Sequence, residues 1–357
     1  MTRSIAGLCI SLAAVASTTG CFPASEGQAP AGTCSGAAFT GTTGCLPANE
    51  GEADQFRKGV PRAATVTLSM PGAASSVQAL SVESTRQALL GEKAEWYTTT
   101  RAVTATVNGG ALAVGGLVNL IVKYPPTSIT QDEAVWGPWE DPLDPVAWKV
   151  TITRVAPHFY QYKFEGRPRT DPTAAFVIVL SGTHKPALNP SGREVERFGT
   201  GSFTLDWDAR ATLPSPDDNV GKADYSYEQM SAADPVSITA QFRQVKDDNR
   251  PGNRVDANYA FAQQPRGPGS MDFVAIASDP ATQVWDRAVV RSRWQFTGDG
   301  RADVQLKTPE GIAVFSLSEC WDQNYASVYK QGSWPGSDSW GAETSCVFPT
   351  VEYSTLQ

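Results

Sequence analysis

Histidine is nearly absent from this 357-residue chain, with His158 and His184 the only two. No H-x-x-x-H spacing and no C-x-x-C pair occurs, so the usual clustered ligands of a transition metal are missing. Both histidines are read as surface or turn residues, His158 at a strand start and His184 in a turn. No G-x-S-x-G element is present, which removes the signature of a serine-hydrolase elbow. "GTGSFT" at 199–204 lacks the third glycine of a dinucleotide loop and leads into a strand where that loop opens a helix. Positive charge is also scarce: 29 Lys and Arg stand against 37 Asp and Glu, a net charge of −8. An acidic chain repels phosphates, so nucleic acid is not an expected partner. Neither a cofactor nor a metal nor a catalytic residue is expected from these absences, and the protein is read as a non-enzyme.

Long apolar runs are missing too. A bilayer-spanning helix needs roughly 20 apolar residues. The first apolar stretch, "SIAGLCISLAAVA" at 4–16, is shorter and follows Arg3, the order of a secretory leader. Cleavage after "AVA" fits an ordinary signal peptidase. "TTGC" at 18–21 resembles a bacterial lipobox, in which Cys21 becomes the lipidated first residue, although Thr18 stands where a leucine-like residue is usual. Cysteine counting favours the lipid. Of six cysteines, Cys9 lies in the leader, and lipidation of Cys21 leaves an even set of four: Cys34, Cys45, Cys320 and Cys346. Four cysteines allow three connectivities, and proximity favours Cys34–Cys45 with Cys320–Cys346. The expected address is the bacterial cell envelope, with the protein exported and held by its lipid, at the outer membrane.

The decapeptide "TTGCFPASEG" at 18–27 returns as "TTGCLPANEG" at 42–51. The second copy has no positive start or apolar run before it, so it is read as duplicated tether. Residues 21–62 are rich in Gly, Ala, Thr, Ser and Pro and lack periodicity. Such a stretch buries too little surface to offset its ordering entropy. The expected organisation is a signal peptide over 1–20, a stalk over 21–62, one β-rich domain over 63–350 and a tail over 351–357. "ATVTLSM" at 64–70 predicts a short strand.

"STRQ" at 84–87 has capping-box spacing and predicts a helix over 84–100. A second helix is predicted over 104–123, where "TVNGGALAVGGLVNLIV" ends before Pro125 and Pro126. Its seventeen apolar-rich residues, 106–122, reach only about 26 Å as a helix, against a hydrocarbon core of about 30 Å. It is read as a core helix whose glycines admit close approach of the sheet, an inserted helix being the alternative. From Trp148 the period becomes two. "YQYKFEG" puts Tyr160, Tyr162 and Phe164 on one face, and "VSITAQFR" does the same for Val236, Ile238, Ala240 and Phe242. About eleven such strands are counted between 147 and 318, divided by turns such as "LPSPDDN" and "KDDNRPGN". The expected fold is mainly β with some α: a large antiparallel sheet or half-barrel wrapped around the apolar helix. A β-sandwich flanked by the helix is the alternative.

The segments "NGGALAVGGLVNLIVKYPPTS" and "AVWGPWEDPLDPVAWKVTITRV", then "MDFVAIASD", "GRADVQL", "LSECWDQNYASVY" and "SCVF", resemble uncharacterised secreted lipoproteins of myxobacterial type. The resemblance covers most of residues 90–348. It implies export and a lipid anchor, and it implies no activity.

Three patterns hint at chemistry. Asp206 and Asp208 share one strand face about 6.5–7 Å apart, a spacing of interest for glycoside hydrolysis, though outward strand faces are often acidic. "QFTGDGRADV" at 295–304 is similar to a calcium loop, with Asp299 and Asp303 in place. Gln295 and Thr297 replace other ligands, and a hairpin turn is the favoured reading. Trp321, Tyr325, Trp334 and Trp340 gather in the cysteine-tied C-terminal region, where they either face a ligand or fill the core. The expected function is a lipid-anchored envelope protein that binds an apolar or lipid ligand. A glycan-binding or structural surface protein is the alternative.

Overall fold

The computed structural model describes residues 50–72, 91–123, 125–139, 141, 143–216, 218–247, 252–278, 285–308 and 310–356. The signal peptide, Cys21, Cys34, Cys45 and the "STRQ" box all lie outside them.

Alternating residues build the body. In Phe159–Pro168 the side chains of Tyr160, Tyr162 and Phe164 are buried while Gln161 and Lys163 are exposed. Ile238, Ala240 and Phe242 repeat the pattern in Val236–Lys246. Each such strand has one apolar face that must be covered, and pairing in register puts those faces on one side of the sheet. The strands are β1 (Ser128–Ile129), β2 (Glu133–Trp139), β3 (Val146–Ala156), β4 (Phe159–Pro168), β5 (Val177–Leu188), β6 (Glu194–Asp206), β7 (Lys222–Gln229) and β8 (Val236–Lys246). They continue as β9 (Arg254–Gln263), β10 (Gly269–Ser278), β11 (Trp285–Trp294), β12 (Gly300–Lys307), β13 (Ala313–Trp321), β14 (Ser327–Gly332) and β15 (Trp340–Gly341). Every strand pairs antiparallel with its neighbours in sequence, giving one 15-stranded meander. Rows of side chains run across it. Tyr162 faces Gly182, then come Phe203, Tyr225, Ala240, Tyr259, Phe273, Val290, Val304 and Leu317. Large and small residues alternate where rings crowd: a Cβ on Gly182 would stand 2.4 Å from the Tyr162 hydroxyl.

The sheet does not close, because no ladder joins β1 to β15. The expected half-barrel wrapped around an apolar helix is therefore corrected to an open sheet with more strands. Alternation reports which face of a strand is buried; it carries no information on closure. The eleven strands β3–β13 occupy the span where alternation was counted, and four more lie outside it. Two of the four, β1 and β15, are only two residues long and show no period.

Helices cover the inner face: α1 (Glu50–Arg57), α2 (Ala63–Val66) and α3 (Glu95–Lys123), with a short α4 (Trp207–Arg210) between β6 and β7. The two helices predicted over 84–100 and 104–123 are corrected to one helix of 29 residues starting at Glu95. Nothing between Thr100 and Thr104 breaks it, since each threonine hydroxyl bonds back to the carbonyl four residues earlier. The described contacts of α3 with the sheet come mainly from its first half. Tyr97, Val103 and Val107 join the core, and the Thr100 and Ser292 hydroxyls meet at 2.6 Å. At Gly110 a Cβ would stand 2.2 Å from the Tyr225 hydroxyl, so the missing side chain admits β7. No helix among the described residues is long and apolar enough to cross a membrane.

Two further expectations change at the N-terminal side. The end of the supposed stalk carries α1, with Ala53, Phe56 and Val60 buried. The strand predicted at 64–70 is the turn of helix α2 followed by extended chain. Asn108 fixes that extended chain by bonding both the N–H and the carbonyl of Leu68, at 2.7 and 2.9 Å.

The outer face of β10–β14 is covered by residues 343–356. Cys320 and Cys346 form a disulfide that ties this segment to β13, as proximity favoured. Beneath it Asp303 is fully buried and accepts four bonds: from Arg301 Nε, Arg293 Nη2, the Ser318 hydroxyl and the Glu352 N–H, at 2.6–3.0 Å. Arg301 also donates to the Phe348 carbonyl and to Glu343. The last residues are thus pinned to the sheet rather than forming a free tail.

Asp303→Ala leaves Arg301 and Arg293 buried without their shared counter-ion. The expected loss is about 3–5 kcal/mol of unfolding free energy, read from urea denaturation. Lys222→Ala, which breaks the half-exposed pair with Asp206, is expected to cost less than about 1 kcal/mol.

Candidate functional site

An apolar cleft of about 50 Å³ lies between α3 and strands β10–β13. Trp96 and Val103 line it from the helix. Met271, Phe273, Val290 and Val304 form its floor, and Phe315 and Trp334 its rim. The rim rings meet edge to face, with centroids 5.8 Å apart, and both are half-buried. A water needs roughly 10–15 Å³ of such space, so the cleft has room for a few methylene-sized groups. Thr99, Gln305 and Ser316 add polar groups to the lining, and the Trp96 indole Nε1 is buried without a hydrogen-bond partner. The helix start is fixed from below. Glu319 accepts the Trp96 N–H at 2.7 Å and the Ser327 hydroxyl at 2.9 Å. Burial pushes the Glu319 carboxyl up, against the lowering effects of the Trp96 N–H, Lys330 and Ser327.

Of the four aromatics singled out from the sequence, only Trp334 faces this cleft. Trp321 is buried to 1% exposure and donates its indole N–H to the Gly298 carbonyl, so it is core rather than ligand-facing. Tyr325 stacks on Tyr97 at 4.3 Å. Trp340 bonds the Ser327 hydroxyl and lies under the Lys330 ammonium. The four therefore form no common platform. Trp96, Val103 and Phe315 were missed, because they come from segments far apart in sequence. Glu319 was the legible anomaly: in "AVFSLSECW" it shares the inward face with Phe315, Leu317 and Trp321.

The other patterns have structural occupations. Asp206 caps α4 by accepting the Ala209 N–H, and it pairs with Lys222. Asp208 accepts the Gly221 N–H, so the two carboxylates hold a turn. Asp303 is committed to the arginines of the outer face, and "TGDG" is the hairpin turn between β11 and β12, with Gly298 at φ +107°. Among the described residues, no group of three or more His, Cys, Asp or Glu side chains is placed to hold a metal ion. His184 is not in a turn: it sits inside β5, 1% exposed, with Nδ1 2.7 Å from the Tyr227 hydroxyl. Comparison with protein-family models, with curated proteins and with solved structures finds no match to this chain.

Burial pushes the His184 imidazole pKa from 6.5 down to about 4. As pH falls, the unfolded chain takes up this proton first, so the site favours unfolding between those values. Its stability contribution is complete above pH 6.5 and is lost on descent to about pH 4, a change of about 3 kcal/mol. Denaturation midpoints of the protein and of His184→Gln at pH 7 and pH 4.5 measure it. The variant is expected to show the shallower decline.

Proposed function

We propose that this is a non-enzymatic envelope protein, exported and anchored through a lipid on Cys21, whose body binds a short acyl chain of a lipid-like ligand in the cleft between α3 and β10–β13. The supporting observation is the chemistry of that cleft. Its walls are mainly hydrocarbon and aromatic, with Thr99, Gln305 and Ser316 as polar members, and Trp96 Nε1 is a buried donor without an acceptor. A buried unpaired N–H costs free energy. A carbonyl or carboxyl oxygen at the head of a short acyl chain would satisfy it while the chain fills the space. Small-molecule sites have this form, largely apolar with few placed polar groups.

Binding of octanoate to the purified body, followed by tryptophan fluorescence, tests the ligand reading. Ala288, on β11, also lines the cleft; Ala288→Leu fills it and is expected to weaken binding at least tenfold while leaving the fold intact. Trp96→Phe keeps the shape and removes the donor; a loss of about fivefold corresponds to one hydrogen bond of roughly 1 kcal/mol. Saturable binding that both variants leave unchanged would place the ligand elsewhere, and absence of binding would reject the reading. The anchor is tested separately by intact mass of the mature, non-reduced protein from its native membrane. Acyl chains on Cys21 are the expected result, and a free thiol there would overturn the assignment.

A further inference from the structure

A second cleft, of about 830 Å³, opens between α1 and the β3–β4 and β5–β6 hairpins. Its chemistry is opposite to that of the apolar cleft. The β3–β4 hairpin turns through Pro157 and His158, with Ala156 paired to Phe159. His158 has φ +56°, the left-handed region that a tight turn ordinarily gives to glycine. A residue with a Cβ is less favourable there, and such a conformation persists where the surrounding structure holds it. The surroundings do hold it. Glu194, at the start of β6, accepts from His158 Nδ1 at 2.8 Å and, on the same oxygen, from the Tyr160 hydroxyl at 2.9 Å. The Glu194 side chain is 10% exposed and the His158 side chain 41%. A carboxylate on Nδ1 fixes the ring and leaves Nε2 as the free nitrogen.

Cations line the same cleft. Arg193, exposed beside Glu194, has no side-chain hydrogen bond or ion pair among the described residues. Arg154 spends Nη2 on the Gln131 carbonyl, and its Nε is buried without a partner. Lys58, one residue past α1, pairs among the described residues with Asp54 of that helix at 3.2 Å. Asp132 is the remaining acid of the lining, since Glu194 is occupied by His158 and Tyr160. A chain with net charge −8 thus collects three cations and an oriented imidazole around one cavity.

We propose that this cleft binds an oxyanion, the phosphate or carboxylate group of a polar solute, with Arg193 and Arg154 as donors and His158 donating from Nε2 in its imidazolium form. Guanidinium groups and an imidazolium held by a carboxylate are the donors that match such a group. The site stands apart from the apolar cleft in position and in ligand chemistry.

The chain carries only two histidines, and the buried His184 serves as an internal control for His158. Inorganic phosphate, and succinate in a parallel arm, are titrated at constant ionic strength into the ¹⁵N-labelled protein while the imidazole nitrogens are followed by NMR. The expected result is a saturable shift of His158 Nε2 with His184 unmoved. Saturation by phosphate alone, by succinate alone or by both identifies the preferred group. Arg193→Gln, a change at an exposed side chain, is expected to weaken binding at least fivefold. His158→Gly, read by calorimetry, is expected to lose binding at least tenfold with an unchanged or higher Tm, because glycine relieves the left-handed backbone. Failure of both anions to produce saturation would overturn the proposal. So would a His158→Gly protein that melts well below the parent while binding as before, since His158 would then serve the turn alone.

Discussion

Trp96 donates its backbone N–H to the buried Glu319 carboxylate at 2.7 Å, and the 29-residue helix α3 grows from that bond. A helix start has N–H groups with no partner inside the helix and a partial positive charge. A carboxylate on the inner face of β13 satisfies both, although burial alone would drive it neutral. The Glu95–Lys330 pair and the Thr100–Ser292 contact hold the next turns to β14 and β11. An open sheet has no closing ladder to fix its inner face, so the seat of this helix decides which rows of side chains are covered. The apolar cleft is a consequence: Trp96 and Val103 stand over β10–β13 at a separation that leaves space between them and the floor.

The outer face solves a different problem. Arg293, Arg301 and Asp303 are buried on the side of β11 and β12 away from α3. Burying three charges is costly, and an apolar layer of equal volume would often be as stable. What the ions add is orientation. Asp303 accepts from the Glu352 backbone, while Arg301 and Arg293 donate to the carbonyls of Phe348 and Thr350. Beyond a 3-10 turn at Glu343–Ser345 the covering segment has no regular structure to satisfy its own backbone, and these side chains do it instead. The Cys320–Cys346 bond then fixes where along the sheet the segment begins.

Period two was legible wherever a strand has one wet and one dry face. Tyr160, Tyr162 and Phe164 in β4, and Ile238, Ala240 and Phe242 in β8, point inward as their spacing predicts. The spacing could not show that the sheet stays open, because an open and a closed sheet require the same alternation. Nor could it show β1 and β15, whose two residues complete no period. The single helix was hidden by Thr98, Thr99, Thr100, Thr104 and Thr106, poor helix formers by propensity that tertiary contacts retain. The apolar cleft was illegible because its walls come from segments some two hundred residues apart, joined only by the seat at Glu319. Of the four rings crowded near the disulfide one lines the cleft: Trp321 fills the core, while Trp334, on an irregular segment, reaches it.

The two histidines show how position on one sheet divides structural from chemical roles. His184 lies in the same cross-strand row as Tyr160 and Tyr227, inside the ladder, where the inner face excludes water and keeps the imidazole neutral. His158 lies two residues beyond the end of that row, in the turn, where no ladder sets its direction and Glu194 of the neighbouring hairpin does. Rigid strands carry such turns to fixed places, which is why loops on stiff scaffolds commonly hold function. A meander brings consecutive odd-numbered and even-numbered turns to opposite ends of the sheet. The β3–β4 and β5–β6 turns therefore fall on one end, and two hairpins separated in sequence share one cleft without any long connection. The topology alone makes His158 and Arg193 neighbours, and only their side-chain chemistry is left for the sequence to choose.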